Sequence, residues 1–256
     1  MPNLPASSAS RSPAASPATI IVIPTYNERD CLPAIVPAVR AAVPDAIVLI
    51  VDDNSPDGTG VLADEMAAAD RHVEVLHRAG KEGLGAAYLA AFRHALDDAR
   101  GFARVVQMDA DFSHDPADVP RLLAALDAGA DVAVGSRYTP GGGTENWGLA
   151  RRAISQGGGL YARVVLGVGV RDLTAGFKAW KASALRGIHL QDVNARGYGF
   201  QIEMTYRAMR NGFHVREVPI RFVDRRVGQS KMSGTIFFEA LTLVWGLRAR
   251  IPRGQG

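Results

Sequence analysis

The sequence predicts an α/β fold in which helices cover both faces of a mainly parallel sheet. Short β-branched runs alternate through the first half of the chain with longer segments whose apolar residues recur at helical spacing. Parallel strands need a long crossover between them, so this alternation indicates successive strand–helix–strand units. The 256 residues, 47% of them hydrophobic, can supply the core of one compact domain of this class.

The predicted elements follow in a regular order up to residue 137. Strands are predicted at residues 19–23, 46–51, 73–76, 104–108 and 131–134. Helices are predicted at residues 32–42, 59–69, 84–98 and 116–127. Beyond them the glycine triplets 141–143 and 157–159 bracket a stretch expected to be flexible, and a helix at 199–211 precedes a strand at 215–223.

The two ends of the chain differ from the predicted domain, residues 18–234. Residues 1–17 are mostly Ala, Ser and Pro without an apolar run, so a disordered tail rather than a signal peptide is expected. Residues 235–256 are expected to form an amphipathic helix and a basic tail. Their apolar part, 236–247, is shorter than the roughly 20 residues that a membrane span needs. An interfacial helix beside anionic headgroups and a core helix packed on the sheet are equally compatible with it.

Charge and cysteine content exclude several classes of protein. Lys and Arg together number 29 and Asp and Glu 26, which gives a formal net charge of +3. Because the two signs alternate along the chain, no nucleic-acid partner is predicted. Cys31 is the only cysteine, which excludes an internal disulfide and a cysteine zinc cluster and indicates a reducing compartment such as the cytoplasm.

Polar residues cluster where each predicted strand ends. They occupy residues 24–28, 52–58, 77–85, 109–111 and 135–137. Ligands of open parallel sheets bind at the carboxyl ends of the strands, so one edge of the sheet is predicted to hold the functional site.

The acid pair Asp109 and Asp111, separated only by Ala110, ends the fourth predicted strand. Two carboxylates that bend toward one point suit a hard cation, Mg²⁺ or Mn²⁺, which keeps water and substrate phosphates in its remaining positions. Solvated turn acids are the alternative for an isolated Asp-x-Asp. The position at a strand end favours the metal site.

The ends of the first two strands offer candidates for holding a nucleoside. Asp53 can accept hydrogen bonds from a base edge or ribose, although a turn before a helix explains the same residues; the two interpretations are compatible if Asp53 binds and Asp57 caps. Tyr26 and Glu28 are similar candidates, and a helix N-terminal cap is the alternative for them.

These motifs occur in a fixed order that resembles a known family. They are PTYNE (24–28), VDDNSPDGT (51–59), MDADFSH (108–114), GSRY (135–138), DLTAGF (172–177) and GQSK (228–231). Over about residues 19–247 the chain resembles polyprenyl (dolichyl) phosphate mannose synthases of glycosyltransferase family 2. The resemblance implies a GT-A fold with a Rossmann-like sheet, transfer of mannose from GDP-mannose to a polyprenyl phosphate, and Mg²⁺ or Mn²⁺ as cofactor.

The resemblance also implies roles for individual residues. The nucleotide-binding positions are Pro24, Tyr26, Glu28, Val51 and Asp53, and the donor and metal site is Asp109, Ala110 and Asp111. Arg137 matches a phosphate-binding arginine, and Arg225 and Lys231 match basic residues of a mobile loop that closes over the diphosphate. A solvated hairpin is the alternative for that loop. Some members carry a glutamine as a further metal ligand where this chain has Ser113.

The implied acceptor explains why no general base is predicted. A phosphate monoester is already anionic near neutral pH, because its second pKa is about 6. The predicted catalytic set therefore aligns the phosphate with the anomeric carbon and offsets charge on the leaving group; it is Asp109, Asp111, Arg137, Arg225 and Lys231. Arg137 is predicted to clamp the acceptor phosphate through both ends of its guanidinium.

Several alternatives stay open at this point. Transfer of glucose or another hexose to the same lipid is the nearest one, and a nucleotidyltransferase or a non-catalytic nucleotide-sugar module is less well matched to the motifs. Glu203 either orients the donor sugar or pairs with a nearby arginine. The expected location is the inner face of the membrane, through peripheral contact, with a separate membrane protein as a possible partner.

Overall fold

The computed structural model describes residues 18–195, 197–223 and 243–251, and their centre is a seven-stranded sheet. Its order is β3-β2-β1-β4-β7-β5-β8. These strands are β1 Thr19–Thr25, β2 Ile47–Asp52, β3 Val73–His77, β4 Arg104–Gln107, β5 Val132–Ser136, β7 Lys178–Lys181 and β8 Val215–Pro219. Strand β7 runs antiparallel to both of its neighbours, and the remaining pairs are parallel. A second sheet pairs β6, Gly143–Glu145, with β9, Arg221–Val223.

Helices cover both faces of the large sheet. They are α1 Leu32–Ala42, α2 Thr59–Ala69, α3 Leu84–Asp97, α4 Val119–Asp127, α5 Leu149–Leu166, α6 Ala182–Gly187 and α7 Tyr198–Arg210. One apolar cluster joins the sheet to α1 and α4 through residues such as Ile35 and Leu122, and a second joins the opposite face to α3 and α7 through Phe92 and Met204. The predicted α/β class and its mainly parallel sheet are confirmed.

The second half of the chain differs from the prediction. The glycine triplet 157–159, expected to border a flexible stretch, lies inside α5. Glycine weakens an isolated helix, but Ala162 and Val165 of α5 are buried in a third apolar cluster, and this packing outweighs the propensity. The strand predicted at 215–223 is divided between β8 and β9, which belong to different sheets.

The described part of the C-terminal segment packs on helices. Residues 243–250 are helical, and Val244, Leu247 and Ile251 are buried in the cluster that contains side chains of α5 and α7. Trp245 is 57% exposed and donates a hydrogen bond from Nε1 to the Tyr161 hydroxyl at 2.9 Å. In the described ranges, no helix has both the length and the hydropathy to cross a bilayer.

Candidate active site

The strand register brings the predicted site residues to one edge of the sheet. Pro24 pairs with Val51 across β1 and β2, and Val22 pairs with Gln107 across β1 and β4. The residues that continue from these pairs, Asp53 and Asp109, therefore leave the sheet on the same side. Strand β5 ends on that side at Ser136, directly before Arg137. The predicted convergence at the carboxyl edge is confirmed for the described candidates.

Asp52 closes the turn that follows β2. Its carboxylate accepts hydrogen bonds from the Thr25 hydroxyl at 3.0 Å, the Ser55 hydroxyl at 2.6 Å and the Ser55 amide at 3.0 Å. Asp57 accepts bonds from the amide and hydroxyl of Thr59 at 3.0 and 2.6 Å, which caps the first turn of α2 as predicted. These two acids therefore hold the loop in place.

Asp53 differs from Asp52 in its partner. Its carboxylate accepts a charged hydrogen bond from Arg78 at 2.5 Å, and both side chains are largely buried. Burial raises the pKa of the Asp53 carboxyl, although the adjacent Arg78 counteracts part of that effect. Arg78 was not predicted from the sequence, because it follows a different strand and only the fold brings it to Asp53.

Tyr26 and Glu28 lie on the loop after β1. The ammonium of Lys81 stands 3.8 Å from the centre of the Tyr26 ring, a cation–π contact. The Glu28 amide donates to the Thr59 hydroxyl at 3.0 Å, which ties this loop to α2. Lys81 is a second basic residue that the sequence alone did not single out. Tyr26, Glu28 and Lys81 therefore lie with Asp53 at the β1 and β2 end of the edge, where they offer hydrogen-bonding groups and an aromatic ring.

The surroundings of Asp109 fix its position. The hydroxyl of buried Tyr88 donates to Oδ1 at 3.4 Å, and the Asp109 amide donates to Nδ1 of His114 at 3.1 Å. Burial lowers the pKa of His114, and its ring stacks on Phe177 with 4.9 Å between centroids. Because Nδ1 accepts a bond from the Asp109 amide, His114 has a structural role in holding this backbone.

Asp111 follows through a tight turn. Phe112 has a φ of 58°, in the left-handed region, and the Ser113 amide donates to Oδ1 of Asp111 at 3.0 Å. The Ser113 hydroxyl is buried, and no hydrogen-bond partner for it is present among the described residues. This bond holds the Asp111 carboxylate within the turn that directly follows Asp109.

The acid pair suits a hard divalent cation. Asp109 and Asp111 are both partly exposed, whereas Ala110 between them is 3% exposed and packs into the core. Within the described ranges, no group of three or more His, Cys, Asp and Glu side chains forms a metal site. A cation bound by the two carboxylates can take water and substrate oxygens as its remaining ligands, as Mg²⁺ and Mn²⁺ commonly do.

Arg137 is engaged by a buried acid. Its Nε and Nη2 donate to the two carboxylate oxygens of Asp172, both at 2.7 Å, and Nη2 also contacts Thr174 at 2.7 Å. Burial alone would raise the pKa of Asp172, but the charge and hydrogen bonds of Arg137 lower it. The edge of the guanidinium needed for the predicted bidentate phosphate clamp is therefore used by Asp172. Both hydrogens of Nη2 are used by Asp172 and Thr174, so a phosphate contact by Arg137 would use the donors of Nη1.

A cavity of about 530 Å³ opens beside Arg137. Three arginines border it, Arg137, Arg163 and Arg171, and Leu160 of α5 supplies an apolar wall. This mixture suits an anionic group attached to an apolar chain. The sequence did not predict it, because Leu160 and Arg163 lie between residues 159 and 199, where no helix or strand was predicted.

The remaining candidates divide into two groups. Glu203 accepts from Arg207 at 2.9 Å and from the amides of Asn194 and Ala195 at 3.2 and 2.8 Å, so the pairing interpretation is confirmed. Arg225 and Lys231 of the predicted basic loop lie outside the described residues.

Comparisons with known proteins identify the family of this chain. The model of glycosyl transferase family 2 matches residues 20–188. The chain is 52% identical over 241 residues to the polyprenol monophosphomannose synthase of Mycolicibacterium smegmatis, covering 93% of this chain and 90% of that protein. It is 51% identical over 233 residues to the undecaprenyl-phosphate mannosyltransferase of Micrococcus luteus, covering 90% and 95%.

A solved structure shows the same fold at lower identity. The glucosyl-3-phosphoglycerate synthase of Mycobacterium tuberculosis, in complex with Mn²⁺, UDP and glucosyl-3-phosphoglycerate, superposes with a TM-score of 0.66. The superposition covers 93% of this chain and 82% of that one at 19% identity. With the family model and both close relatives in agreement, the chain belongs to glycosyl transferase family 2.

Proposed function

We propose that this chain transfers mannose from GDP-mannose to a polyprenyl monophosphate, with Mg²⁺ or Mn²⁺ held by Asp109 and Asp111. One observation carries the proposal: the acid pair lies between the polar edge at β1 and β2 and a cavity that is lined by three arginines and Leu160 of α5. The names of the two relatives above 50% identity, a monophosphomannose synthase and a phosphate mannosyltransferase, support mannose and a lipid phosphate.

The donor nucleoside is assigned to the β1 and β2 end of the edge. Asp53 provides an acceptor for base or ribose donors, and Pro24, Tyr26, Glu28 and Val51 complete the nucleotide-binding positions. Since Arg78 already pairs with Asp53, the carboxylate is oriented before the nucleotide arrives. Such pre-orientation lowers the entropy that binding would otherwise cost.

The diphosphate is assigned to the acid pair after β4. A divalent cation bound there supplies a Lewis acid that takes up charge on the departing nucleoside diphosphate. Tyr88 and the Ser113 amide hold the two carboxylates in the required orientation. By the family resemblance, Arg225 and Lys231 are proposed to add positive charge at the diphosphate.

The acceptor phosphate is assigned to the cavity beside Arg137. Arg137, Arg163 and Arg171 offer positive charge to a group that is already ionised near neutral pH, so its oxygen attacks the anomeric carbon without a general base. Leu160 belongs both to the cavity wall and to the solvent face of α5. A lipid chain can therefore leave the cavity along that face.

The same face of α5 is the proposed contact with the membrane surface. Its exposed large apolar side chains are Leu149, Ile154, Leu160 and Val164, and exposed Trp245 stands beside Tyr161 of the same helix. Apolar residues flanked by arginines, with a tryptophan at the edge, match a surface that lies at the headgroup level. We place this contact at the inner face of the membrane; a separate membrane-protein partner remains a prediction of the family resemblance.

The test follows label from the donor into the lipid. The chain is incubated with Mn²⁺ or Mg²⁺, polyprenyl phosphate and, in separate reactions, labelled GDP-mannose, UDP-glucose or UDP-GlcNAc. We expect lipid labelling from GDP-mannose only, and its loss on chelation of the cation. Labelling from UDP-glucose alone would replace mannose in the proposal, and labelling that survives chelation would remove the cation from it.

A further inference from the structure

A glutamine that the mechanism above does not use points an amide donor toward the acid pair. Gln201 lies in the first turn of α7 and is 3% exposed. Its Nε2 atom is buried and has no hydrogen-bond partner among the described residues. A buried amide left without a partner costs free energy, so its retention calls for a ligand that completes it.

Two donor-only groups determine which way this amide faces. Trp180 donates from Nε1 to Oε1 of Gln107 at 2.9 Å, so Gln107 must present Nε2 to its other neighbours. That Nε2 donates to Oε1 of Gln201 at 2.9 Å, and the ammonium of Lys178 donates to the same oxygen at 2.8 Å. With Oε1 held by two donors, the NH₂ group of Gln201 necessarily faces the other way.

The direction that remains leads to the acid pair. A Cβ atom placed on Gly176 would lie 3.9 Å from Nε2 of Gln201 and 3.7 Å from Oδ2 of Asp109. The His114 ring closes a third side at 3.4 Å. Because residue 176 has no side chain, the amide and the carboxylate face a common space.

The order of the strands indicates what occupies that space. From β2 through β1 and β4 to β7, the edge passes Asp53, the acid pair and then the Gly176 turn, before Arg137 at β5. A nucleotide sugar laid along this edge has its nucleoside at β2, its diphosphate at the acid pair and its hexose beyond them. An uncharged amide also suits a sugar hydroxyl, whereas phosphates are usually met by Arg or Lys.

We propose that Gln201 is a sugar-binding residue whose Nε2 donates a hydrogen bond to a ring hydroxyl of the hexose that is transferred. This assignment rests on the proposed function for its donor. The cluster of Gln107, Lys178 and Trp180 orients the amide in advance, and a hexose with no hydroxyl at that position leaves the donor unpaired. Gln201 therefore contributes to the choice of hexose.

The test compares binding of the nucleotide with and without its sugar. The affinities of GDP, GDP-mannose, UDP and UDP-glucose are measured calorimetrically with Mn²⁺ present, for the wild type, Gln201→Met and Gln201→Asn. The asparagine variant keeps an amide in the buried cluster but withdraws it by one methylene group. Thr205→Val is the matched control, since Thr205 is buried on the same helix and bonds only the Gln201 carbonyl, at 3.0 Å.

We expect both Gln201 variants to lose roughly ten-fold in affinity for the nucleotide sugar, with the affinity for the free nucleotide unchanged. In Thr205→Val, the ratio of the affinity for the nucleotide sugar to that for the free nucleotide should equal the wild-type ratio. A second readout uses GDP-deoxymannose donors that each lack one ring hydroxyl. One of them should bind the wild type more weakly than GDP-mannose does, whereas Gln201→Met should bind this donor and GDP-mannose with the same affinity. A purely structural role of Gln201 would not remove the difference between the two donors.

The outcomes separate this inference from the proposed function. An unchanged ratio in both folded variants overturns the role of Gln201 and leaves mannosyl transfer intact. Binding of UDP-glucose in place of GDP-mannose overturns the donor assignment, and Gln201 is then judged on the glucose ratio. If the folded wild type binds neither GDP-mannose nor UDP-glucose, both are overturned.

Discussion

Lys178 is expected to make the stability of the protein depend on pH. Its ammonium is fully buried at the centre of the sheet and donates to the carbonyl and side-chain oxygens of Gln201 at 3.0 and 2.8 Å. Burial lowers the pKa of Lys178 from 10.5 to about 7, with Asp172 opposing this shift and Arg137 adding to it. In the unfolded chain the same amine keeps its ordinary pKa.

The direction and size of the change in the free energy of unfolding with pH follow from the number of protons bound in the folded and unfolded states. Between about pH 7 and pH 8.5 the unfolded lysine stays protonated while the folded one loses its proton, so the free energy of unfolding rises with pH. For the two pKa values above, the rise over that interval is about 1.6 kcal/mol. Replacing Lys178 with methionine removes the titrating group and flattens the profile.

The pH interval is chosen to exclude other buried groups. Burial lowers the pKa of His114 from 6.5, so its contribution is complete below the interval. Burial, with a hydrogen bond to Glu28, raises the pKa of the Cys31 thiol from 9.0 to about 11. Above about pH 9 that thiol lowers the stability, because only the unfolded form has ionised.

The assay is urea unfolding followed by tryptophan fluorescence at a series of pH values. Lys181→Met is the matched control: Lys181 ends the same strand, but its ammonium is partly exposed and pairs with Asp131 at 3.1 Å. We expect the control to keep the rise and Lys178→Met to lose it. Parallel profiles for Lys178→Met and the wild type would show that the pH dependence has another source and would refute the burial argument.

Three further predictions concern the site, the membrane face and a backbone contact. Asp111→Asn should reduce cation-dependent transfer by at least about 100-fold with an unchanged melting temperature, and undiminished turnover would place the cation elsewhere. Val164→Asp should lower retention on anionic vesicles, whereas Val61→Asp, also an exposed valine but on α2, should not; equal retention of all three proteins would exclude α5 as the contact. Gly142→Ala places a methyl group 2.5 Å from the Ser136 carbonyl oxygen and should destabilise the fold by about 1–3 kcal/mol. In Gly157→Ala the new methyl group has no atom within 4 Å, so this variant should stabilise α5 slightly. Urea unfolding measures both changes in stability, and equal effects of the two variants would contradict the contact at Gly142.

The predicted elements of the first half agree with the structure because their signals are local. The helix expected at residues 32–42 is α1, and the one expected at 59–69 is α2. Their apolar spacing and their flanking prolines and glycines depend only on neighbours in the chain. The helix at residues 157–159 was not predicted, because glycines locally disfavour a helix. The contacts that stabilise this part of α5 come from α7 and the C-terminal segment, which are distant in the sequence.

The site also has features that the sequence predicted and features that only the structure shows. Parallel strands deliver their carboxyl ends to one edge whatever their partners are, so the sequence alone placed Asp53, Asp109 and Asp111 at one edge of the sheet. It also identified Arg137, but a paired arginine looks like any other in a sequence, so its engagement by Asp172 was not predicted.

What the sequence determined by itself is the class of fold, the edge at which the candidate site lies and the acid pair on it, because each follows from residue spacing within one strand–helix unit. Only the tertiary structure decided the direction of Gln201 and the burial of Lys178. Gln107 and Gln201 are 94 positions apart in the chain. Hydrogen bonds between such distant side chains form when strands and helices pack, and no local pattern records them.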